Sequence, residues 1–420
     1  MVKKRILYIH HGSSHGGAPM SLLSLLNYLD RSRYEPIVCS SENNAEVLEF
    51  FAGYGYQTCA CRLQRFDHTT GGSYNLLTFA GWHQLFRWYK DFGDAKLRLK
   101  ELLVNLQPDM VHFNSLTLAP YARVSSSMGI PSIVHVREPV LKGLFGFRRK
   151  WLEHNLNCYT TRVIAICRDN LERLRLFSGK GRVIYNPIDS RKFDVTIDKQ
   201  KARAELGIAT DAKVSLFAGG SVQDAKGLKE FIEAMGLVKK HEPHTVCLMP
   251  SFVLPLSPKE RVWTLKRRFG WLLGIYKKQD RLYKLIEKGG LKGHIVRSDF
   301  TYEIERWIAA CDVVCAPHIL PHFSRTVIEA GAMKKPVVAF IIGGISEVVA
   351  HQGNGLLVAN SDVAGLAAAI EELFVNEGLC MRLGINGWQQ AQQLFAAEIS
   401  ATQVATVYEE LLSGFITKNE

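Results

Sequence analysis

No stretch of 18 or more apolar residues occurs in the 420-residue chain, so no segment reads as a membrane-spanning helix. The apolar run inside MVKKRILYIHHG is too short for a signal peptide and reads as a first strand, which makes a cytoplasmic location the expectation. Neither a G-x-G-x-x-G fingerprint nor a Walker A motif is present; nicotinamide-dependent redox chemistry and P-loop phosphate binding lose their usual signatures. The nine cysteines are odd in number and scattered, mostly inside apolar runs such as VIAIC and ACDVVC. They predict buried reduced thiols rather than a disulfide framework. Low-complexity tracts are absent as well.

Hydrophobic residues make up 47% of the chain and charged residues 22%, a globular composition long enough for two domains of about 200 residues each. Fifty-two Lys and Arg against 40 Asp and Glu leave a net charge of +12. Residues 259–288 hold ten basic and three acidic side chains. Such an excess suits a polyanion, whether nucleic acid, anionic lipid or a phosphorylated small molecule.

Short β-branched runs alternate with helix-period segments. RILYIH, EPIVCS, DMVHFN, SIVHVR, RVIAIC and RVIYN are strand candidates in the first half; KVSLFAG, TVCLM, HIVRS, VVCAP, PVVAF and GLLVA follow in the second. Helical patterns such as SLLSLLNYL, GLKEFIEAMGLVKK and LAAAIEELF lie between them. The alternation predicts an α/β protein with parallel, doubly wound sheets. Strand RILYIHHG and strand KVSLFAGG each run into a glycine turn and a helix, which predicts two nucleotide-type domains in tandem. The join is expected at Asn186-Pro187-Ile188-Asp189. The expected domains are 1–187 and 188–395, with 396–420 completing the first.

Three segments could carry chemistry. In Gly12-Ser-Ser-His-Gly16-Gly17-Ala-Pro19, the glycines let backbone approach an anion at a helix start, or simply make a tight turn. In Ala218-Gly219-Gly220-Ser221-Val222-Gln223-Asp224-Ala225-Lys226-Gly227, a lysine at a helix start could neutralise a departing diphosphate or be solvated. The third runs from His318 through Ser324, Arg325 and Glu329 to Pro336, followed by Gly343-Gly344-Ile-Ser-Glu347. It follows the strand VVCAP, and ligands bind at strand C-termini in open α/β sheets. Ser324 reads as an N-cap. Glu329 could accept both hydroxyls of a ribose, or be an acid favoured by the helix dipole.

Taken in order, the glycine pair near the N-terminus, VIYNPID, AGGxVxxxKGLKEFIEA, ACDVVCAP with SRTVIEAGAMKKPVVA, and GGISEVV…GNGLLV resemble glycosyltransferase family 4, the group 1 family. That resemblance spans nearly the whole chain and is densest from 183 to 358. It implies the GT-B fold, two Rossmann-like domains facing across a cleft, and a retaining transfer from a nucleoside-diphosphate sugar of UDP or GDP type, with no metal and no separate cofactor. It also implies roles. Gly16 and Gly17 match the loop near the donor phosphates, Lys226 the lysine on the diphosphate, Glu329 the ribose-holding glutamate, and the turn from Gly343 and Gly344 to Glu347 a loop flanking the donor. Gly220, Ser324 and Arg325 fall among the donor-binding positions. His135 and Glu138 follow a strand end where a sugar would meet the donor phosphate; they join Lys226 as catalytic candidates, or are simply satisfied by hydrogen bonds in a βα loop. The chain departs from the family pattern in four places. Pro321 stands where a glutamate is common, Ser324 replaces a glycine and Ser221 an arginine, and Arg137-Glu138 occupy the place of a His-Asp or His-Glu pair. Arg325 could supply the cation missing at Ser221.

His10, His11 and His15 do not predict a metal site, because neighbouring strand residues point to opposite faces and no carboxylate or cysteine has ligand spacing. Residues 79–92 and 262–278 interleave aromatics with cations; each fits either an anionic membrane surface or a helix with a buried aromatic stripe. The expected function is sugar transfer to a glycan or lipid-linked glycan, in cell-surface polysaccharide or lipopolysaccharide biosynthesis, peripheral on the cytoplasmic membrane face. Two rivals stand beside it: a sugar-nucleotide-binding protein of the same fold that has lost transfer, and a nucleic-acid-binding module, for which no recognition motif is present.

Overall fold

The computed structural model describes residues 2–12, 16–70, 72–76, 78–143, 145–219, 224–252, 277–299 and 301–419. Contacts divide the chain into two units. The first comprises Met1–Asp189, Pro321–Phe323 and Leu394–Glu420, and the second Ser190–Leu320 and Ser324–Gln393.

In the first unit the strands are β1 (Lys4–Ile9), β2 (Tyr34–Ser40), β3 (Gln57–Ala60), a small antiparallel hairpin of β4 (His68–Thr69) and β5 (Gly72–Ser73), then β6 (Met110–Phe113), β7 (Ser132–Val136), β8 (Arg162–Ala165) and β9 (Gly181–Val183). The seven-stranded sheet runs β3-β2-β1-β6-β7-β8-β9, and every neighbouring pair is parallel. Strand alternation sorts its two faces. Leu7 and Ile9 enter one core with Val111, Phe113 and Trp88; Ile6 and Tyr8 enter the other with Leu22, Leu26, Val404 and Tyr408. Tyr408 belongs to the last helix, Ala397–Asn419, which therefore closes the second face of the first sheet.

In the second unit the strands are β10 (Lys213–Phe217), β11 (Thr245–Met249), β12 (Ile295–Arg297), β13 (Val313–Ala316), β14 (Val337–Phe340) and β15 (Gly355–Val358). Their order is β12-β11-β10-β13-β14-β15, again parallel throughout. All twelve strands expected from the sequence are present. The additions are β3 and the β4–β5 hairpin, too short or too polar to show a pattern.

Each sheet winds outward in two directions from its first strand. The reversal lies between β1 and β6 in one unit and between β10 and β13 in the other. Crevices for ligands open at such switch points, beyond the strand C-termini. The cysteines are all free thiols, mostly buried, although Cys158 is exposed and Cys59 and Cys380 are half-buried.

Candidate functional site

At the first switch point, the ends of β1, β6 and β7 bring polar side chains together. Arg137, just past β7, donates from Nε to Asn114 Oδ1 and from Nη1 to Asn186 Oδ1, both at 2.8 Å. With its oxygen so engaged, Asn114 offers its amide to His10 Nδ1 at 2.9 Å, which leaves the His10 proton on Nε2. Tyr8, Tyr408, His112 and His135 form a chain. The two tyrosine hydroxyls meet at 2.8 Å, the Tyr408 hydroxyl reaches His112 Nδ1 at 2.7 Å, and His112 Nε2 reaches His135 Nδ1 at 3.2 Å. Burial, reinforced by the Arg137 charge, pulls His10 and His112 down to about 3 and His135 well below the usual imidazole value. These imidazoles are neutral at physiological pH, and the permanent charge among them is the guanidinium.

Glu138 sits one residue beyond. It accepts from Ser115 Oγ at 3.1 Å, and His11 Nε2 lies 4.0 Å away. Burial pushes its carboxyl up to about 7, against the Ser115 hydrogen bond and the charges of Arg137 and Arg65. A carboxyl that shares its proton near neutrality can act as acid or base.

Two expectations change here. His135 does not follow the strand: it lies within β7, 3% exposed, with Nδ1 facing His112 and Arg137 and Nε2 without a hydrogen-bond partner among the described residues. His10 and His11 do not diverge, because β1 ends at Ile9 and alternation ends with it; their rings lie 5.7 Å apart. Among the described residues no group of three or more His, Cys, Asp or Glu is placed to hold a metal ion; His15 is outside those residues.

The glycine turn ends at Gly16 and Gly17, where the helix Gly17–Tyr28 begins with Pro19 in its first turn. Its initial amides have no earlier helical partners, and Gly16 provides no side-chain cap.

At the second switch point the loops after β10, β13 and β14 share one edge, because the three strands are parallel neighbours. The turn Asp224–Lys226 precedes the helix Leu228–His241. Ile319 N–H donates to Ala225 O at 3.0 Å, tying the β13 loop to this turn. Gly227 makes the approach possible. Its φ is +74°, and an added Cβ would collide with the carbonyl oxygen of Pro317. Burial lowers the Lys226 ammonium below the ordinary lysine value, and no carboxylate pairs with it among the described residues. The Lys226 charge in turn acts on buried His318, which burial chiefly, and that charge secondarily, bring down to about 4.

Ser324 occupies the N-cap position of the helix Arg325–Ala332, but its side chain makes no capping hydrogen bond there; the expected cap is one of position only. Arg325 Nε donates to Glu329 Oε1 at 2.6 Å, with both side chains nearly buried. The guanidinium expected to replace the cation missing at Ser221 is thus engaged by the carboxylate expected to hold a ribose. Gly331 lets this helix approach the helix Glu377–Gln390 at Gly387, where a Cβ would stand 2.9 Å from a backbone oxygen. Beyond β14, Gly343 has φ +52°, Gly344 caps the short helix Ile345–Val348, and Glu347 lies half-buried within it. Gly220 and Ser221 lie outside the described residues, as does the stretch of the basic segment that carries Trp263, Phe269, Trp271 and Tyr276.

Sequence reasoning missed Asn114, Ser115, Arg137 as a network centre, and Asn186. The available signal was position: polar residues directly after strands that flank a glycine turn.

The family models described as Glycosyltransferase Family 4 and Glycosyl transferases group 1 match residues 15–192 and 198–390. Among curated proteins, the lipopolysaccharide core biosynthesis mannosyltransferase LpsB of Rhizobium meliloti is 28% identical over 232 residues, 55% of this chain and 61% of that protein. A D-inositol 3-phosphate glycosyltransferase of a Nocardioides species is 30% identical over 219 residues, 50% of this chain and 44% of that protein. The chain spans about half the length of the curated relatives it matches. Among solved structures, HepE of Anabaena in complex with UDP-glucose superposes with a TM-score of 0.77 at 19% identity, covering 97% of this chain and 100% of that one. WaaG, a glycosyltransferase involved in lipopolysaccharide biosynthesis, gives 0.63 at 13% identity, over 94% of this chain and 98% of that one. The chain belongs to the group 1 glycosyltransferases, with a first half of family 4 type, on the GT-B fold of two Rossmann-like sheets.

Proposed function

We propose that this protein transfers a sugar from a nucleoside-diphosphate sugar of UDP or GDP type to a glycan or lipid-linked glycan, with retention of configuration and without a metal, in cell-surface polysaccharide or lipopolysaccharide biosynthesis at the cytoplasmic face of a membrane. The observation that carries this is Lys226, a half-buried ammonium at a helix start, lowered below the ordinary lysine value by burial and with no carboxylate partner among the described residues. An anion seated there would offset the cost of burying the charge, and a diphosphate gaining charge as it departs would be held more tightly still. Glu329, fixed by Arg325 within the helix that follows β13, is the acceptor for ribose hydroxyls. Ser324, Gly343, Gly344 and Glu347 are the donor-binding candidates of the second unit, and Gly16 and Gly17 those of the first; Gly220, also a candidate, lies outside the described residues. Glu138 takes part at the reacting sugar as a carboxyl able to exchange a proton near neutral pH. The similarity to a UDP-glucose-bound neighbour supports the donor class.

A panel of UDP- and GDP-sugars, screened by thermal shift and then by release of the nucleoside diphosphate in the presence of chelator, tests this. The expected result is one stabilising donor that is also turned over, with an α-linked product from an α-linked donor by NMR. Stabilisation by a donor with neither transfer nor slow hydrolysis would replace the proposal with a sugar-nucleotide-binding protein. The Arg325–Glu329 pair and Pro321 are the features that keep that second reading in view.

A further inference from the structure

The helix Phe79–Leu106 divides its aromatic residues between two destinations. Trp88 and Phe92 turn inward and stack on each other at 4.5 Å, with Trp151 of the helix Phe147–Tyr159 against both. Phe79, Trp82, Phe86 and Tyr89 turn outward and are 87%, 56%, 65% and 75% exposed. Their spacing of three, four and three residues places them along one stripe of the helix. The Trp82 indole N–H is already satisfied by Leu76 O at 2.8 Å, so what the ring still presents is apolar.

A second pair of exposed rings begins the neighbouring helix. Phe145 and Phe147 are 76% and 70% exposed, one turn ahead of the Trp151 that locks the two helices together. Residues 79–90 and 142–150 contain six basic side chains, Arg87, Lys90, Lys142, Arg148, Arg149 and Lys150, and no acidic one. Arg149 is paired with Glu153 at 2.7 Å and Arg148 is half-buried, so Arg87, Lys90, Lys142 and Lys150 are the exposed cations beside the rings. Phe145 and Phe147 were not part of the aromatic segment expected from the sequence; only the packing of Trp151 on Trp88 and Phe92 attaches them to it.

We infer that the outward stripe of Phe79–Leu106 together with the Phe145–Phe147 turn is the surface by which this protein docks on an anionic lipid bilayer. Rings at this depth of exposure suit the headgroup boundary, the exposed Arg87, Lys90, Lys142 and Lys150 suit an anionic surface, and no described helix is long and apolar enough to cross. The inference rests on the placement at a membrane face proposed above, but not on sugar transfer.

The test is sedimentation of the full chain with vesicles of phosphatidylcholine alone and of phosphatidylcholine mixed with phosphatidylglycerol, at low salt. Wild type should bind only the mixed vesicles. Lys90→Glu with Lys142→Glu and Lys150→Glu should weaken that binding by on the order of a hundredfold, and Phe79→Ser with Phe86→Ser and Phe147→Ser by roughly tenfold or more. All six positions are at the surface, and unchanged near-ultraviolet dichroism would verify folding. Wild type that ignores the mixed vesicles overturns the inference. So does binding that survives both sets of substitutions, since another surface would then carry it, or a dimer that the serine variants dissociate without any vesicle binding. Vesicle binding without turnover of any donor would leave the docking surface standing and remove the transferase proposal.

Discussion

Glu138→Gln should stabilise the protein above neutral pH and do almost nothing to its stability in mild acid. The carboxyl's folded value of about 7 against an ordinary 4.5 is due first to burial. At about 1.4 kcal/mol for each pH unit of that interval, ionising Glu138 in the folded chain costs at most roughly 3 kcal/mol. The side chain keeps 22% of its surface, so solvent screening brings the expected figure nearer to about 2 kcal/mol. The sign follows from proton binding. Between pH 4.5 and about 7 the folded state retains a proton that the unfolded state has released, so stability falls as pH rises through that window. Glutamine is neutral throughout and still accepts from Ser115 Oγ, so it escapes the loss. Thermal unfolding of parent and variant at pH 5, 6.5 and 8 measures this. Melting temperatures should be close at pH 5, with the variant higher by roughly 4–8 °C at pH 8. The same proton should appear in catalysis as a limb of the rate profile near pH 7 that the variant lacks. A melting difference of equal size at pH 5 and pH 8 would refute the reasoning, because burial would then not be disfavouring the charge.

Lys226→Met should lower turnover with saturating donor by roughly 100- to 1,000-fold, while leaving the empty protein as stable or more so, since a desolvated ammonium is removed; equal turnover would end its assignment to the diphosphate. Glu329→Gln should weaken nucleotide binding by roughly 5- to 150-fold. Arg325→Met combined with it should add little by calorimetry, because the two side chains act as one unit; additive losses would mean that Arg325 meets the nucleotide independently. Gly227→Ala should lower the melting temperature by an amount corresponding to roughly 1–3 kcal/mol and reduce activity with it, because the turn carrying Lys226 can no longer nest against Pro317; a variant with unchanged melting would contradict the close approach.

Much of the fold was legible because parallel sheets buried on both faces spell out their strands. RILYIH, DMVHFN, KVSLFAG and VVCAP are dominated by β-branched and apolar residues, and each is a central strand of its sheet. One edge strand and the small hairpin were harder. β3 has the half-exposed pattern of QTCA, and β4 and β5 are two residues each, too few for any period to register. Residues 79–92 illustrate the other limit. A helix with aromatics at both Trp88-Phe92 and Phe79-Trp82-Phe86-Tyr89 gives a sequence no means of saying which set is inside. The answer depends on Trp151, some sixty residues further on, which packs on Trp88 and Phe92 and not on the others.

The candidate site was legible to the degree that its residues lie on loops whose order along the chain matches their order along a sheet edge. Lys226, Ser324–Glu329 and Gly343–Glu347 follow β10, β13 and β14, so parallel topology alone gathers them. Nothing comparable announces the first unit's network. His112, His135, Tyr8 and Tyr408 sit inside strands and a distant helix, where each taken singly reads as ordinary core. Their coupling requires the last helix to lie on the first sheet's face, so that one hydroxyl can bridge Tyr8 and His112 across 400 and 296 residues of sequence. With His112 Nε2–H given to His135 Nδ1, and Arg137 also donating toward that nitrogen, each proton in the chain has one consistent place. His135 thus meets His112 and Arg137 through Nδ1, while its buried Nε2 has no hydrogen-bond partner among the described residues. Glu138, next to Arg137 and held by Ser115, is where that buried order reaches accessible surface.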